Sequence, residues 1–181
     1  FHVEYLAPTL KKRLPEIELY LGTLNTNRID LVDKILSDPR MKDAVEGIGF
    51  QWWGGQILPE IRKKYPNYKY MQTESECGSG TFDWKAAEHT FNLINHYLGS
   101  GCEEYTFWNA ILCDEGTSGW GWKQNALVRV DSNTSSVIYT PEYYAVKHFS
   151  NRVVSGTKIL QYKEKGEDKL PVMVFLTPDN K

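Results

Sequence analysis

The apolar residues of this chain keep one rhythm up to Leu112 and a different one after Ala126. In the first stretch, β-branched and aromatic runs alternate with helical stripes. Ile17 to Thr23 reads as a strand that ends in the polar loop Asn25-Thr26-Asn27. Ile29, Val32, Ile35 and Leu36 then share one face of a helix that Asp38-Pro39 interrupts or ends. Val45 to Trp53 is the next strand, closed by Gly54-Gly55. A short helix follows, with Pro59 near its first turn and Ile57 and Ile61 facing inward. Tyr68 to Glu74 is the third strand and Glu104 to Leu112 the fourth. Between them, Ala86, Ala87, Thr90, Phe91, Ile94, Tyr97 and Leu98 stripe a helix over Asp83 to Leu98, and Gly99 suits its C-terminal cap. Upstream, Val3, Leu6 and Leu10 have helical spacing interrupted at Pro8. Strands alternating with helices predict an α/β fold with a parallel sheet.

From Ala126 onward the pieces are short and extended. Leu127 to Val130 and Ser136 to Tyr139 read as strands, and Pro141 opens a helical turn through Tyr143, Tyr144, Val146 and Phe149. Lys158 to Tyr162 and Val172 to Leu176 flank the polar Lys163 to Asp168, the pattern of an antiparallel hairpin that starts a separate β module.

The four strands of the first stretch end in Asn25, Gln51-Trp52-Trp53, Glu74 and Trp108-Asn109. In parallel α/β proteins that carboxyl edge is where ligands bind. Glu74 and Glu76 are two residues apart, so on a regular strand both would face one side. They are either two solvated acids at a strand end or part of a site. Gly78-Ser79-Gly80 comes directly after this stretch.

Composition narrows the classes. The 181 residues, 41% hydrophobic and 24% charged, suit a soluble globular protein with a core of its own. The net charge of −2, with Lys and Arg spread throughout, gives no phosphate-tracking face, so nucleic acid is not an expected partner. No apolar run approaches membrane-spanning length. Six Trp and eleven Tyr are the unusual feature. Cys77, Cys102 and Cys113 form no CxxC pair, so no structural zinc is expected. They leave either one disulfide or buried thiols. His89 and His96 lie seven apart on their helix without a third ligand in sequence, and a structural or surface role is expected for both.

Four motifs carry a resemblance: Gly47-Ile48-Gly49-Phe50-Gln51-Trp52-Trp53, Met71-Gln72-Thr73-Glu74-Ser75-Glu76-Cys77-Gly78, Tyr105-Thr106-Phe107-Trp108-Asn109 and Trp120-Gly121-Trp122-Lys123-Gln124-Asn125. With Thr140-Pro141-Glu142-Tyr143-Tyr144 and His148-Phe149-Ser150, they make the chain resemble the C-terminal half of glycoside hydrolase family 30, the glucosylceramidase-like family that also holds glucanases and xylanases. The resemblance implies the second half of a (β/α)8 TIM barrel, strands five to eight, in residues 1–125. It implies the first strands of a β-sandwich in 126–181. It also implies a retaining β-glycosidase with Glu74 as nucleophile and no cofactor or metal. Gln51, Trp52, Trp53, Trp108, Asn109, Trp120 and Trp122 would line the sugar site, and Glu76 would orient its neighbours rather than react.

The substrate would be a β-linked oligosaccharide or glycoside, sphingolipid glycosides included, and the place of action secreted, extracellular or periplasmic. One departure matters. The family's acid/base carboxylate sits in an Asn-Glu-Pro, and that tripeptide does not occur here. The chain is therefore expected to be a fragment that is inactive alone and completed by the missing half of the barrel or by self-association. The alternatives are a non-catalytic carbohydrate-binding remnant, or an unrelated α/β domain with a chance Thr-Glu.

Overall fold

The computed structural model describes residues 1–162 and 171–181; the polar Lys163 to Asp168, expected to link the last two strands, lies outside the described residues. The chain divides into two compact units, Phe1–Glu74 with Ser100–Thr106, and Ser75–Gly99 with Phe107–Lys181.

The first unit is a four-stranded parallel sheet, β1 (Tyr20–Leu24), β2 (Gly47–Gln51), β3 (Lys69–Glu74) and β4 (Glu104–Tyr105), in sequential order. A π-helical turn, His2–Leu6, runs directly into α1 (Ala7–Arg13). The expected break at Pro8 does not occur. Proline falls in the first turn of α1, where its missing N–H has no intrahelical partner to lose. Asp38-Pro39 does separate α2 (Ile29–Leu36) from α3 (Pro39–Ala44): the Asp38 carboxylate accepts from Arg40 N at 2.9 Å and caps α3. In α2, Val32 and Leu36 are the buried members of the expected stripe.

Strand β2 is shorter than expected, because Trp52 and Trp53 leave it for a 3-10 turn (Trp52–Ile57) that precedes α4 (Leu58–Lys64). Gly47 through Phe50 are all buried, as a parallel strand covered on both faces requires. Ile48, Phe50, Leu58 and Ile61 are fully enclosed, and the Phe50 and Tyr70 rings stack 6.2 Å apart. The Tyr70 hydroxyl donates to the Tyr65 carbonyl, and the Arg62 guanidinium lies 5.8 Å from the Tyr70 ring centre. Tyr65 in turn donates its hydroxyl to Asp33 at 2.6 Å, beside the Lys64 ion pair with the same carboxylate.

The second unit holds α5 (Trp84–Gly99), with Ala87, Thr90, Ile94 and Tyr97 buried, and α6 (Pro141–Ser150). Phe91 of α5 meets Phe149 of α6 with centroids 5.6 Å apart. Three strands, β5 (Ile111–Cys113), β6 (Val128–Val130) and β7 (Val137–Tyr139), form a small mixed sheet. The expected hairpin is present as β8 (Lys158–Leu160) antiparallel to β9 (Val174–Leu176). The fourth strand expected over Glu104 to Leu112 is instead two pieces. Glu104–Tyr105 joins the parallel sheet and Ile111–Cys113 the mixed one, so Trp108 and Asn109 lie on the connection. No disulfide joins any two of the three cysteines; Cys77 and Cys102 are buried and Cys113 is exposed. No described helix is long and apolar enough to cross a membrane.

The tyrosine cluster makes the first unit sensitive to alkali. Burial pushes the Tyr70 and Tyr65 hydroxyls from 10.0 up to about 12, the Asp33 carboxylate adding to the effect at Tyr65. Burial likewise pushes the Cys102 thiol from 9.0 up to about 12. A raised folded-state value means the neutral forms stabilise the fold fully below the ordinary values, and that contribution is lost as pH climbs toward 12. The urea midpoint should therefore hold at neutral pH and fall between about 9 and about 12, less steeply in Tyr70→Phe. A midpoint flat across that window would refute the burial of these groups.

Candidate active site

Glu74 is the last residue of β3, and its position is set by the ladder beneath it. Residues pair in register from Gly47 with Lys69 to Phe50 with Gln72, and then Gln51 pairs with Glu74. Thr73 is the extra residue of a β-bulge, which bends the strand and re-aims Glu74. The Thr73 hydroxyl donates to the Phe50 carbonyl at 3.1 Å and contacts the Thr23 hydroxyl. On the other side of β2, the register of β1 slips between Leu21 and Leu24. There Gly22 takes φ +108, and any Cβ on it would stand 2.6 Å from the Gly49 carbonyl.

The bulge delivers Glu74 to the turn after β2. The Trp52 indole N–H donates to Glu74 Oε1 at 2.6 Å, and the Gln51 side-chain amide approaches the same oxygen at 3.5 Å. Trp52 reaches it from φ +47, a conformation that costs a bulky residue on the order of 1–3 kcal/mol and persists only where its surroundings enforce it. Two neighbours enforce it here. Trp53 N donates to the Asn25 side chain at 3.3 Å, and Gly54 packs directly on the end of β1. Among the described residues Glu74 Oε2 has no protein hydrogen bond, so one carboxylate oxygen is anchored and the other is not.

Of the residues named from the sequence, Gln51, Trp52 and Glu74 thus meet in one cluster. Trp53 is exposed at its rim, and its backbone N–H donates to the Asn25 side chain. The others belong to the second unit. Glu76 lies beyond the end of β3 and pairs with His89 of α5 at 2.9 Å. The surface role expected for His89 is as Glu76's partner. Trp108 is half-buried and its backbone N–H donates to Ser75 Oγ at 2.9 Å; its peptide bond to Asn109 is cis. The Asn109 amide donates to Gln124 Oε1 and to the Asn125 carbonyl, each at 3.3 Å. Trp120 and Trp122 sit on a loop closed by the Thr117–Lys123 bridge and the Lys123–Glu115 ion pair. Their rings are 6.3 Å apart, edge to face, and Trp120 is 83% exposed. An indole left that open is not filling a core.

Thr73, Ser75 and Asn125 carry no candidate role in the sequence by itself, and Asn25 only a place at the carboxyl edge. Their strand-end and motif positions were visible, but only the fold gives them partners. Among the described residues no three His, Cys, Asp or Glu side chains converge as metal ligands would.

The fold and this cluster together define an α/β protein with a half-anchored carboxylate at the carboxyl end of a parallel sheet. No protein-family model matches the chain. It is similar to the lysosomal acid glucosylceramidase of Mus musculus, 25% identical over 198 residues, which cover 96% of this chain and 37% of the relative. It is also similar to putative glucosylceramidase 1 of Caenorhabditis elegans, 26% identical over 190 residues, with 96% and 36% covered. The chain thus spans little more than a third of the length of these curated relatives. Among solved structures, an endo-β1,6-glucanase superposes with a TM-score of 0.82 at 19% identity, over 98% of this chain and 43% of that one. SrfJ from Salmonella typhimurium superposes with a TM-score of 0.76 at 19% identity, over 98% and 42%. The motif resemblance to glycoside hydrolase family 30 is borne out by the glucosylceramidase relatives.

The turn that carries Trp52 gives a stability test. A Cβ at Gly54 would lie 1.9 Å from the Leu24 carbonyl oxygen, a backbone atom that cannot swing aside. Gly54→Ala should destabilise the chain by roughly 1–3 kcal/mol in urea unfolding. An unchanged midpoint would mean the turn does not pack on β1 as described.

Proposed function

We propose that this chain is part of a retaining β-glycoside hydrolase in which Glu74 is the nucleophile. The observation that carries the reading is Glu74 itself, with Oε1 held by the Trp52 indole and Oε2 open at the end of a parallel strand. In this reading Oε2 attacks the anomeric carbon as the glycosidic C–O bond breaks, and the leaving oxygen takes a proton from a carboxylic acid. Water, deprotonated by the same group, then releases the sugar with retained configuration. That second carboxyl group must stand about 5–5.5 Å from the first. The family's Asn-Glu-Pro is absent from these 181 residues, so the proposal takes the acid/base from outside them.

Residues 1–125 would then be strands five to eight of a (β/α)8 barrel and 126–181 the first strands of a β-sandwich. The sequential order of the four parallel strands, with no reversal, supports the first part. The names of the relatives, glucosylceramidase and endo-β1,6-glucanase, suggest a β-linked glucosyl unit in the site. Trp108 would supply an apolar floor for the sugar ring, Asn109 a hydroxyl partner, and Trp120 and Trp122 further aromatic surface. An extracellular or periplasmic place of action belongs to the same proposal.

In the intact enzyme, Glu74→Gln should lower kcat by about three orders of magnitude or more with little change in Tm, since the amide keeps an oxygen for Trp52. Glu76→Gln should retain most activity; the opposite pattern would move the nucleophile to Glu76. Trp108→Ala should weaken inhibitor binding more than it lowers Tm. A large loss of stability with unchanged affinity would make that ring a packing residue.

The 181-residue chain alone should not hydrolyse an activated aryl glycoside. Turnover by it would overturn the need for an outside acid/base. Glycan binding by an intact protein that never turns over would favour the carbohydrate-binding alternative.

A further inference from the structure

Asn125 is 2% exposed, and every polar group it owns is used. Its backbone N–H donates to the Cys77 carbonyl at 2.6 Å, and its carbonyl accepts from the Asn109 amide. Its side-chain Oδ1 accepts from Gly80 N at 2.6 Å, and its Nδ2 donates to the Glu142 carboxylate. Oδ1 also lies 2.7 Å from where a Cβ on Gly78 would stand. Asn125 therefore touches the Ser75–Gly80 segment at three residues and the Trp108-Asn109 connection at one. Neither segment has a strand ladder to hold it, because β3 ends at Glu74 and β4 at Tyr105.

Glu142 is 1% exposed, in the first turn of α6. Its place is set by Thr140, whose hydroxyl donates to the Ala126 carbonyl at 2.8 Å while accepting the Tyr143 N–H that caps the helix. A side-chain amide offers oxygen on one side and NH₂ on the other, and a carboxylate accepts but cannot donate. The NH₂ of Asn125 thus faces Glu142 while Oδ1 faces the Gly80 N–H, and the second Glu142 oxygen is buried without a hydrogen bond among the described residues.

We propose that Glu142, acting through Asn125, is a positioning residue: it holds the Ser75–Gly80 segment directly after Glu74, and it holds Asn109, in the arrangement that catalysis requires. This rests on the glycosidase reading above. Neither side chain touches substrate in it, and the effect passes through hydrogen bonds at Cys77, Gly80 and Asn109.

The pair has a polarity that can be reversed. At a pH high enough to keep the pair from sharing a proton, Asn125→Asp sets two carboxylates against each other, whereas Asn125→Asp with Glu142→Gln restores one donor facing one acceptor and leaves an oxygen for Gly80. In the intact enzyme, Asn125→Asp should lower kcat by about 10-fold or more while KM moves less than about 3-fold. Glu142→Gln alone and the double variant should stay within about 3-fold of wild type. A single variant that melts earlier but keeps wild-type kcat would reduce the pair to packing, and a double variant as slow as the single would show that the two do not act together. Hydrogen exchange on the 181-residue chain needs no turnover. The Gly80 amide should be protected in wild type and in the double variant and exposed in Asn125→Asp. Equal protection in all three would overturn the anchoring. If the wild-type intact enzyme neither hydrolyses nor is labelled by a glycosyl inactivator, the glycosidase reading and the catalytic role fail together, and the exchange result still decides whether Asn125 and Glu142 hold the segment.

Discussion

The first unit depends on a mismatch at the carboxyl end of β2. Its neighbours β1 and β3 each carry one residue more than β2 can pair with at that level, and both ladders slip there. A slip in a parallel ladder leaves backbone groups unpaired, and here side chains and glycine absorb it. Thr73 bonds the Phe50 carbonyl, and Gly22 takes a conformation closed to other residues. The product is a strand end that turns Glu74 onto the Trp52 indole. Because Ile48 and Phe50 are locked in a covered core just below, the slip cannot spread down the strands.

Strain sits at the same place. Trp52 occupies a left-handed conformation, and the bond from its indole to a carboxylate is of the strong, charge-assisted kind. That bond offsets part of the conformational cost, with Asn25 and Gly54 bracing the turn from β1. Such an arrangement is hard to account for as packing alone, since a smaller residue would meet the packing need without strain. The second unit holds its unladdered segments by another means, a buried hub at Asn125 rather than a strained turn.

Much of the sheet was legible in advance because its signals are local. Apolar runs, helical stripes and the punctuation of Asp38-Pro39 and Thr140-Pro141 needed no tertiary information, and they placed β1, β2, β3, α2, α5 and α6 within a few residues. Glu74 was legible too, as the carboxylate at the end of such a run. Local rules also misplaced three things. Pro8 reads as a breaker until the helix start is known. Trp52-Trp53 reads as strand because aromatic residues suit strands. Glu104 to Leu112 reads as one element although its ends pair in different sheets.

Residue order and type therefore determined which elements form and which carboxylate ends a strand, since both come from periodicity and backbone preference. Only the tertiary structure decided which oxygen of Glu74 is held and by whom. It also decided that Glu76 faces His89 and that Asn125 reads Glu142 seventeen residues away. Those choices come from register and chain crossings, where one residue of slip changes every partner. Register is a property of two strands at once, and no single stretch of sequence carries it.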